Sequence, residues 1–317
     1  MLVNVLLLIL GFVLLIKGAD FFVDGASSTA QNFKVSKMLI GLTIIAFGTS
    51  APEFAVSMSA LASGSTDMVL GNVIGSCIMN ILLILGVAAV IHPIQIRDNT
   101  VKKELPLTML ISTLLVVLFI DIALGNGSVN QITRSDALVI LLFFSVFLYY
   151  LISLAKQKKE SKEEDKPKYK LLKSLILVLI GLVGIIIGSN FVVDNASSIA
   201  VSVGLSERII ALTIIAFGTS LPELVTTIVS SKKGEQDLLV GNIIGSNIFN
   251  ICIVLGIPVA IYGTVTPSSF QMIDLVMLVL SAVLLFLFSR TFKRITRYEG
   301  VFMLAIFVIY YTLVFVL

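Results

Sequence analysis

The sequence predicts an all-α polytopic membrane protein: ten transmembrane helices, arranged as two inverted five-helix repeats, with helices 2 and 7 broken. Three observations carry this fold class: an apolar composition, stretches of bilayer length, and a motif that returns at a fixed offset. Of 317 residues, 57% are hydrophobic and 13% charged, and the mean hydropathy is +1.08. A soluble globular domain carries about 25% charged residues, so that class is excluded. A helix needs about 20 apolar residues to cross the hydrocarbon core. Ten stretches qualify, at 2–29, 38–62, 68–92, 104–124, 135–155, 171–200, 208–231, 238–262, 270–290 and 298–317.

The first stretch has no basic n-region and continues through Lys17 into a long, partly polar segment, so it reads as a retained helix rather than a signal peptide. The third ends at His92 and Pro93, and the two cysteines, Cys77 and Cys252, sit in apolar runs. Neither a disulfide framework nor a zinc site follows from one histidine and two such cysteines. Between the fifth and sixth stretches lies the charged segment KQKKESKEEDKPKYK, residues 156–170.

Basic residues favour alternate loops. With the N-terminus outside, the cytoplasmic loops hold nineteen: Lys34, Lys37, Arg97, Lys102, Lys103, eight lysines from Lys156 to Lys173, Lys232, Lys233, Arg290, Lys293, Arg294 and Arg297. The outside loops hold Arg134 and Arg208. That bias supports both the span count and the orientation, in a plasma (inner) membrane with the central loop cytoplasmic.

LTIIAFGTS at 42–50 recurs unchanged at 212–220, an offset of 170, each copy followed by a proline and a glutamate: Pro52 and Glu53, Pro222 and Glu223. The same offset aligns GNVIGSCIMNI (71–81) with GNIIGSNIFNI (241–251), and FFVDGASS (21–28) with FVVDNASS (191–198). The chain is therefore a duplication, with a first repeat at 1–155, a linker at 156–170 and a second repeat at 171–317. Five spans per half is an odd number, so the second half enters the membrane from the opposite side. Inverted repeats are how many secondary transporters build a site near the bilayer midplane.

A carboxylate at the centre of a span costs roughly 2.5 to 3.5 kcal/mol on insertion scales, so Glu53 and Glu223 are expected to face a cavity or a partner. Pro52 and Pro222 lack an amide hydrogen, which frees the carbonyls of Gly48 and Gly218 and breaks each helix. Freed backbone is tolerated at membrane depth only beside protein or water. Thr49 and Glu53 share a helix face with Ser50 alongside, and Thr219, Ser220 and Glu223 repeat the pattern. In the next span Asn72, Ser76 and Asn80 form a stripe, mirrored by Asn242, Ser246 and Asn250. Hydroxyl, amide, carboxylate and carbonyl oxygens without His or Cys suit hard cations such as Ca²⁺ and Na⁺. The competing role for the two stripes is hydrogen bonding between helices, with Gly71-x-x-x-Gly75 and Gly241-x-x-x-Gly245 allowing close packing. Asp20 becomes Asn190 in the second half, which argues against a symmetric role there.

GTSAPE with GNVIGSCIMN, and GTSLPE with GNIIGSNIFN, resemble the two alpha-repeats of the calcium/cation antiporter superfamily, in its sodium/calcium exchanger branch. The resemblance covers the whole chain. It implies Ca²⁺ ligands at Glu53 and Glu223 with oxygens of Thr49 and Thr219, and Na⁺ sites drawing on Ser50, Ser220, Ser76, Ser246 and the carbonyls of Ala46 and Ala216. Asn80 and Asn250 complete the candidate set, and certain relatives, notably the potassium-dependent branch, carry aspartate at the position of Asn250. The resemblance also implies that the long first and sixth helices slide across the others to alternate access, with three Na⁺ exchanged per Ca²⁺. With asparagine at 80 and 250 the centre keeps two carboxylates, so a third Na⁺ falls to neutral oxygens.

On this reading the chain is an antiporter and not an enzyme. Its substrates are Ca²⁺ and Na⁺, its surroundings the lipid bilayer, and no cofactor or nucleic acid is called for. A monomer suffices for a site contained in one chain. Proton/calcium exchange is the alternative within transporters, since a buried glutamate can carry H⁺. The proton-coupled branch places its acid after a Gly-Asn pair, whereas Gly71-Asn72 and Gly241-Asn242 are followed by aliphatic residues. An intramembrane enzyme using the glutamates as an acid/base pair lacks a nucleophile with a base partner, and a channel has no need of a duplicated carboxylate.

Overall fold

The computed structural model describes residues 2–125, 127–156, 167–202, 216–267 and 271–316. Most of the expected linker and the start of the expected seventh span, with Arg208, lie outside the described residues. Helices dominate: α1 Leu2–Phe33, α2 Lys37–Thr49, α3 Ala51–Ala62, α4 Thr66–Ile91, α5 Leu105–Phe119, α6 Arg134–Lys156, α7 Leu171–Ser202, α8 Ala216–Thr219, α9 Leu221–Lys232, α10 Gln236–Tyr262, α11 Met272–Arg290 and α12 Arg297–Val316. Among the described residues seven helices are long and apolar enough to cross a membrane, and the bent pair α2 and α3 makes an eighth. Of the other two expected spans, 104–124 forms the shorter α5, and 208–231 is described only from Ala216. The protein is a polytopic helical membrane protein. The departure from an all-helical chain is small: Ile94–Gln95 pairs antiparallel with Arg294–Ile295, and Ile132 bridges Val265.

Proline chemistry sets the break. α2 and α3 meet at 45° across Ser50, whose φ of −84° and ψ of 4° leave the helical region. Ser220, between α8 and α9, takes nearly the same conformation, φ −89° and ψ 3°. α4 and α10 instead stay continuous through a π-helical turn in each, at Met79–Leu85 and Asn250–Leu255. Such turns leave local backbone groups outside the regular ladder and cluster at functional sites. α4 and α10 are also the most enclosed spans, 72% and 78% buried over their apolar stretch against 22% for α1 and 33% for α7.

Contacts divide the chain into two compact units that cut across the expected repeats: Met1–Pro52 with Ala155–Asn242, and Glu53–Leu154 with Ile243–Leu317. In the first unit α1 and α7 run antiparallel, backbone against backbone. Small residues seven apart on each make this possible. A methyl group added to Gly11 would lie 3.0 Å from Gly188 O, to Gly18 2.8 Å from Gly181 O, and to Gly25 2.7 Å from Ser174 O. The same approach recurs between Gly41 and Gly241, where an added methyl would meet the opposing Cα at 3.0 Å. Around this seam Ala19, Phe22, Val23, Ile45, Val178 and Ile185 are buried together with Val229 and Leu238. At the far end of α1, Lys233 Nζ reaches Asp24 Oδ1 at 2.7 Å and Lys168 Nζ reaches Asp24 Oδ2 at 2.8 Å. Glu235 takes Lys37 at 2.7 Å and the Ser27 hydroxyl at 2.8 Å. The Asp24 hydrogen bond holds the Lys168 ammonium protonated to higher pH than an ordinary lysine.

In the second unit α12 packs on α4 through Gly300, whose added methyl would meet Gly86 O at 2.8 Å. Carboxylates at the starts of α5 and α11, Glu104 buried and Asp274 half-buried, accept from tyrosines: Glu104 from Tyr150, and Asp274 from Tyr310 at 2.6 Å. Rings of Phe144 and Phe249 meet edge-on at 5.4 Å.

Among the described residues, a methyl on Gly71 or Gly75 meets no atom within 4 Å, so the expected Gly71-x-x-x-Gly75 seam has no partner there. The backbone-to-backbone seams lie on α1, α7 and the α2–α10 crossing instead. Gly18→Leu and Gly181→Leu should each cost about 1–3 kcal/mol by overpacking and lower the melting midpoint in detergent. Gly71→Ala and Gly75→Ala should melt with the parent protein, as followed by size-exclusion chromatography after heating.

Candidate functional site

In the first unit the break of the first repeat meets residues of the second. Ser50 is 3% exposed, and its hydroxyl donates to Glu223 Oε1 at 3.1 Å. Glu223 is fully buried in the first turn of α9. Thr49, also fully buried, places its hydroxyl 3.1 Å from Asn242 Oδ1, 3.1 Å from Ile45 O and 3.4 Å from Ala46 O. Asn242 in turn donates to Thr227 Oγ1 at 3.3 Å. The Ala46 carbonyl, an expected ligand, accepts the Ser50 amide at 3.0 Å. Thr219 is half-buried and Ser220 is buried at the matching break, while Ala216 opens α8.

In the second unit Glu53 is fully buried in the first turn of α3. Asn72 donates to the Glu53 carbonyl at 3.0 Å and to Ser57 Oγ at 2.9 Å. Asn72 with Ser57 and Asn242 with Thr227 are thus the same bond in two repeats, pinning each broken helix to the span that follows. These two asparagines take the interhelical role. Ser76, Ser246, Asn80 and Asn250 are buried too. Asn80 Nδ2 donates to Asn247 Oδ1 at 3.0 Å. Asn250 is fully enclosed, yet among the described residues neither of its amide atoms has a hydrogen-bond partner. Leaving such a group unsatisfied costs about 1–3 kcal/mol, and a cation on Oδ1 offsets part of that.

Four contributors escape the motif reading. Asn247 stands where the first repeat has Cys77, so matching identical positions passes over it, although a buried amide in an apolar span is itself a signal. Ser57 and Thr227 differ in side chain and look like ordinary helix hydroxyls. Ser189 on α7 donates to the Gly218 carbonyl at 2.9 Å, a bond across helices that spacing cannot show. The resulting inventory is one of hard oxygen donors: two carboxylates, amides, hydroxyls and main-chain carbonyls. Oxygen sets of this kind take Ca²⁺ and Na⁺ in preference to softer metals.

Comparison with known proteins agrees with this chemistry. The family profile described as sodium/calcium exchanger protein matches residues 3–153 and 173–316. The putative antiporter CaxA of Alkalimonas amylolytica is 40% identical, with 99% of each chain covered. Sodium/calcium exchanger MaX1 of Methanosarcina acetivorans is 31% identical, again over 99% of each. The solved structure of the sodium-calcium exchanger NCX_Mj superposes with a TM-score of 0.84 at 33% identity, covering 97% of both chains. With both halves matched and relatives aligned almost end to end, the chain belongs to the sodium/calcium exchanger family.

Proposed function

We propose that this protein is a secondary active antiporter that exchanges Na⁺ for Ca²⁺ by alternating access at one oxygen-lined site, within ten spans arranged as two inverted repeats. The observation that carries this is the hydrogen bond from Ser50 of one repeat to Glu223 of the other, both at helix breaks and both buried. It links the break of the first repeat to the glutamate of the second. Glu53 and Glu223 hold Ca²⁺ with oxygens of Thr49 and Thr219. Ser50, Ser220, Ser76, Ser246 and the carbonyls of Ala46 and Ala216 serve Na⁺, with Asn80 and Asn250 completing the set. The N-terminus lies outside and the loop between the halves in the cytoplasm, as the basic residues direct.

Competition for one site couples the flows. Two carboxylates carry a charge that must be compensated before the site crosses a low-dielectric barrier, so the empty carrier resists switching while the loaded one turns over. One Ca²⁺ or two Na⁺ balance the pair. A third Na⁺ on neutral oxygens adds one net charge per turnover, on which 100 mV acts with about 2.3 kcal/mol.

Vesicles containing the purified protein test this reading. Ca²⁺ uptake should follow an outward Na⁺ gradient and be absent from K⁺-loaded vesicles, whereas uptake that follows only an imposed pH gradient would assign the coupling to protons. Glu53→Gln and Glu223→Gln should each reduce uptake to background while eluting as folded protein. Asn250→Asp should shift the half-saturating cation concentration or introduce K⁺ dependence, and an unchanged profile would make Asn250 a packing residue.

A further inference from the structure

The two helix breaks are alike in sequence but are held differently. Pro222 has no amide hydrogen, so the Gly218 carbonyl four residues earlier loses its helical donor. The Ser189 hydroxyl supplies the replacement at 2.9 Å. Serine and threonine hydroxyls in helices commonly bond back to the carbonyl four residues before, as Ser198 does to Asp194 and Thr312 to Val308. Ser189, 4% exposed, reaches across to another helix instead. Val193, one turn further along α7, packs directly on Gly218, so α7 grips the break at two points.

Among the described residues the first repeat shows no such grip. At the offset of 170 that relates the repeats, Ser189 corresponds to Ala19, which has no donor, and Val193 to Val23. Gly48, the counterpart of Gly218, instead faces Leu182 and Phe22, 3.1 Å and 3.2 Å from an added methyl. We propose that Ser189 is a positioning residue for the ion site: its hydroxyl stands in for the amide that Pro222 lacks, and so ties the long helix α7 to Gly218, Thr219 and Ser220 in the second repeat alone. Thr219 and Ser220 follow the tethered carbonyl directly, so their oxygens keep their places only while it is held. This inference rests on the exchange reading for its functional consequence and on geometry alone for the tether.

The experiment has one readout for each. Amide hydrogen exchange on the purified full chain should be faster over residues 216–224 in Ser189→Ala and unchanged in Ser189→Thr, which keeps the hydroxyl. In vesicles, Ca²⁺–Ca²⁺ exchange needs no Na⁺. In that assay Ser189→Ala should raise the half-saturating Ca²⁺ concentration about two- to tenfold, the worth of one hydrogen bond. Its maximal rate should stay within about twofold, and Ser189→Thr should match the parent protein. A structural defect alone lowers the maximal rate without moving half-saturation, and that pattern overturns the proposal. Unchanged hydrogen exchange in Ser189→Ala overturns it as well. If Ser189→Ala fails to elute as folded protein, Ser189→Cys, with its weak donor, should give a smaller shift in both readouts, and no shift there counts against the tether. A parent protein without Ca²⁺ flux would refute the exchange reading, while the amide exchange still decides the tether.

Discussion

A backbone carbonyl without a donor has no water to turn to inside hydrocarbon, and the site is built around that constraint. Each repeat places a proline inside a span, giving up one helical hydrogen bond and freeing polar backbone beside a glutamate. The loss has to be offset locally. Asn72 and Asn242 do so from the following helix by clamping the broken segment through Ser57 and Thr227. The Ser50 amide keeps a bond to Ala46 O, and Ser189 takes the Gly218 carbonyl. None of these bonds adds much stability alone, since hydrogen bonds between membrane helices average about 0.6 kcal/mol. Their value is that they fix where the remaining oxygens point.

The second constraint is charge. A buried carboxylate without a counter-ion shifts toward its neutral form or draws in a cation. Glu53 and Glu223 are both fully buried, and the Ser50 hydroxyl donates to Glu223. The basic residues cluster elsewhere, at the end of α1, where Lys168, Lys233 and Lys37 meet Asp24 and Glu235.

Much of this was legible in the sequence because the duplication acts as an internal control. A glutamate after Gly-Thr-Ser-x-Pro could be an isolated oddity, but its return at a fixed offset marks the break, and the expected boundaries of α1, α6 and α7 fall within a few residues of those observed. What could not be read was any feature that depends on which helices meet. The glycines at 11, 18 and 25 are spaced for a seam, but only the antiparallel run of α7 gives them Gly188, Gly181 and Ser174 as partners. Gly71 and Gly75 have a packing motif's spacing, but no described residue comes close enough to use it. Asn247 and Ser189 were missed for the opposite reason: repeat matching rewards identity, and these positions differ between the halves.

Those differences have an energetic meaning. In an inverted-repeat carrier, interchanging the conformations of the two halves converts one facing state into the other, so a perfectly symmetric sequence would give both states equal free energy. Only residues that break the symmetry can bias the equilibrium. Among them are polar ones: Ser189 against Ala19, Thr226 and Ser230 against Val56 and Ala60, and Lys233 with Glu235 against Ser63 and Ser65. Lys233 and Glu235 both bond to α1, and Ser189 bonds α8 to α7, so the extra interactions fall on the two long helices. The candidate site positions are matched between the halves, while Ser189 lies on α7 and Lys233 and Glu235 bond to α1. Ser189 bears on the site as well, since its bond ends at Gly218, next to Thr219 and Ser220.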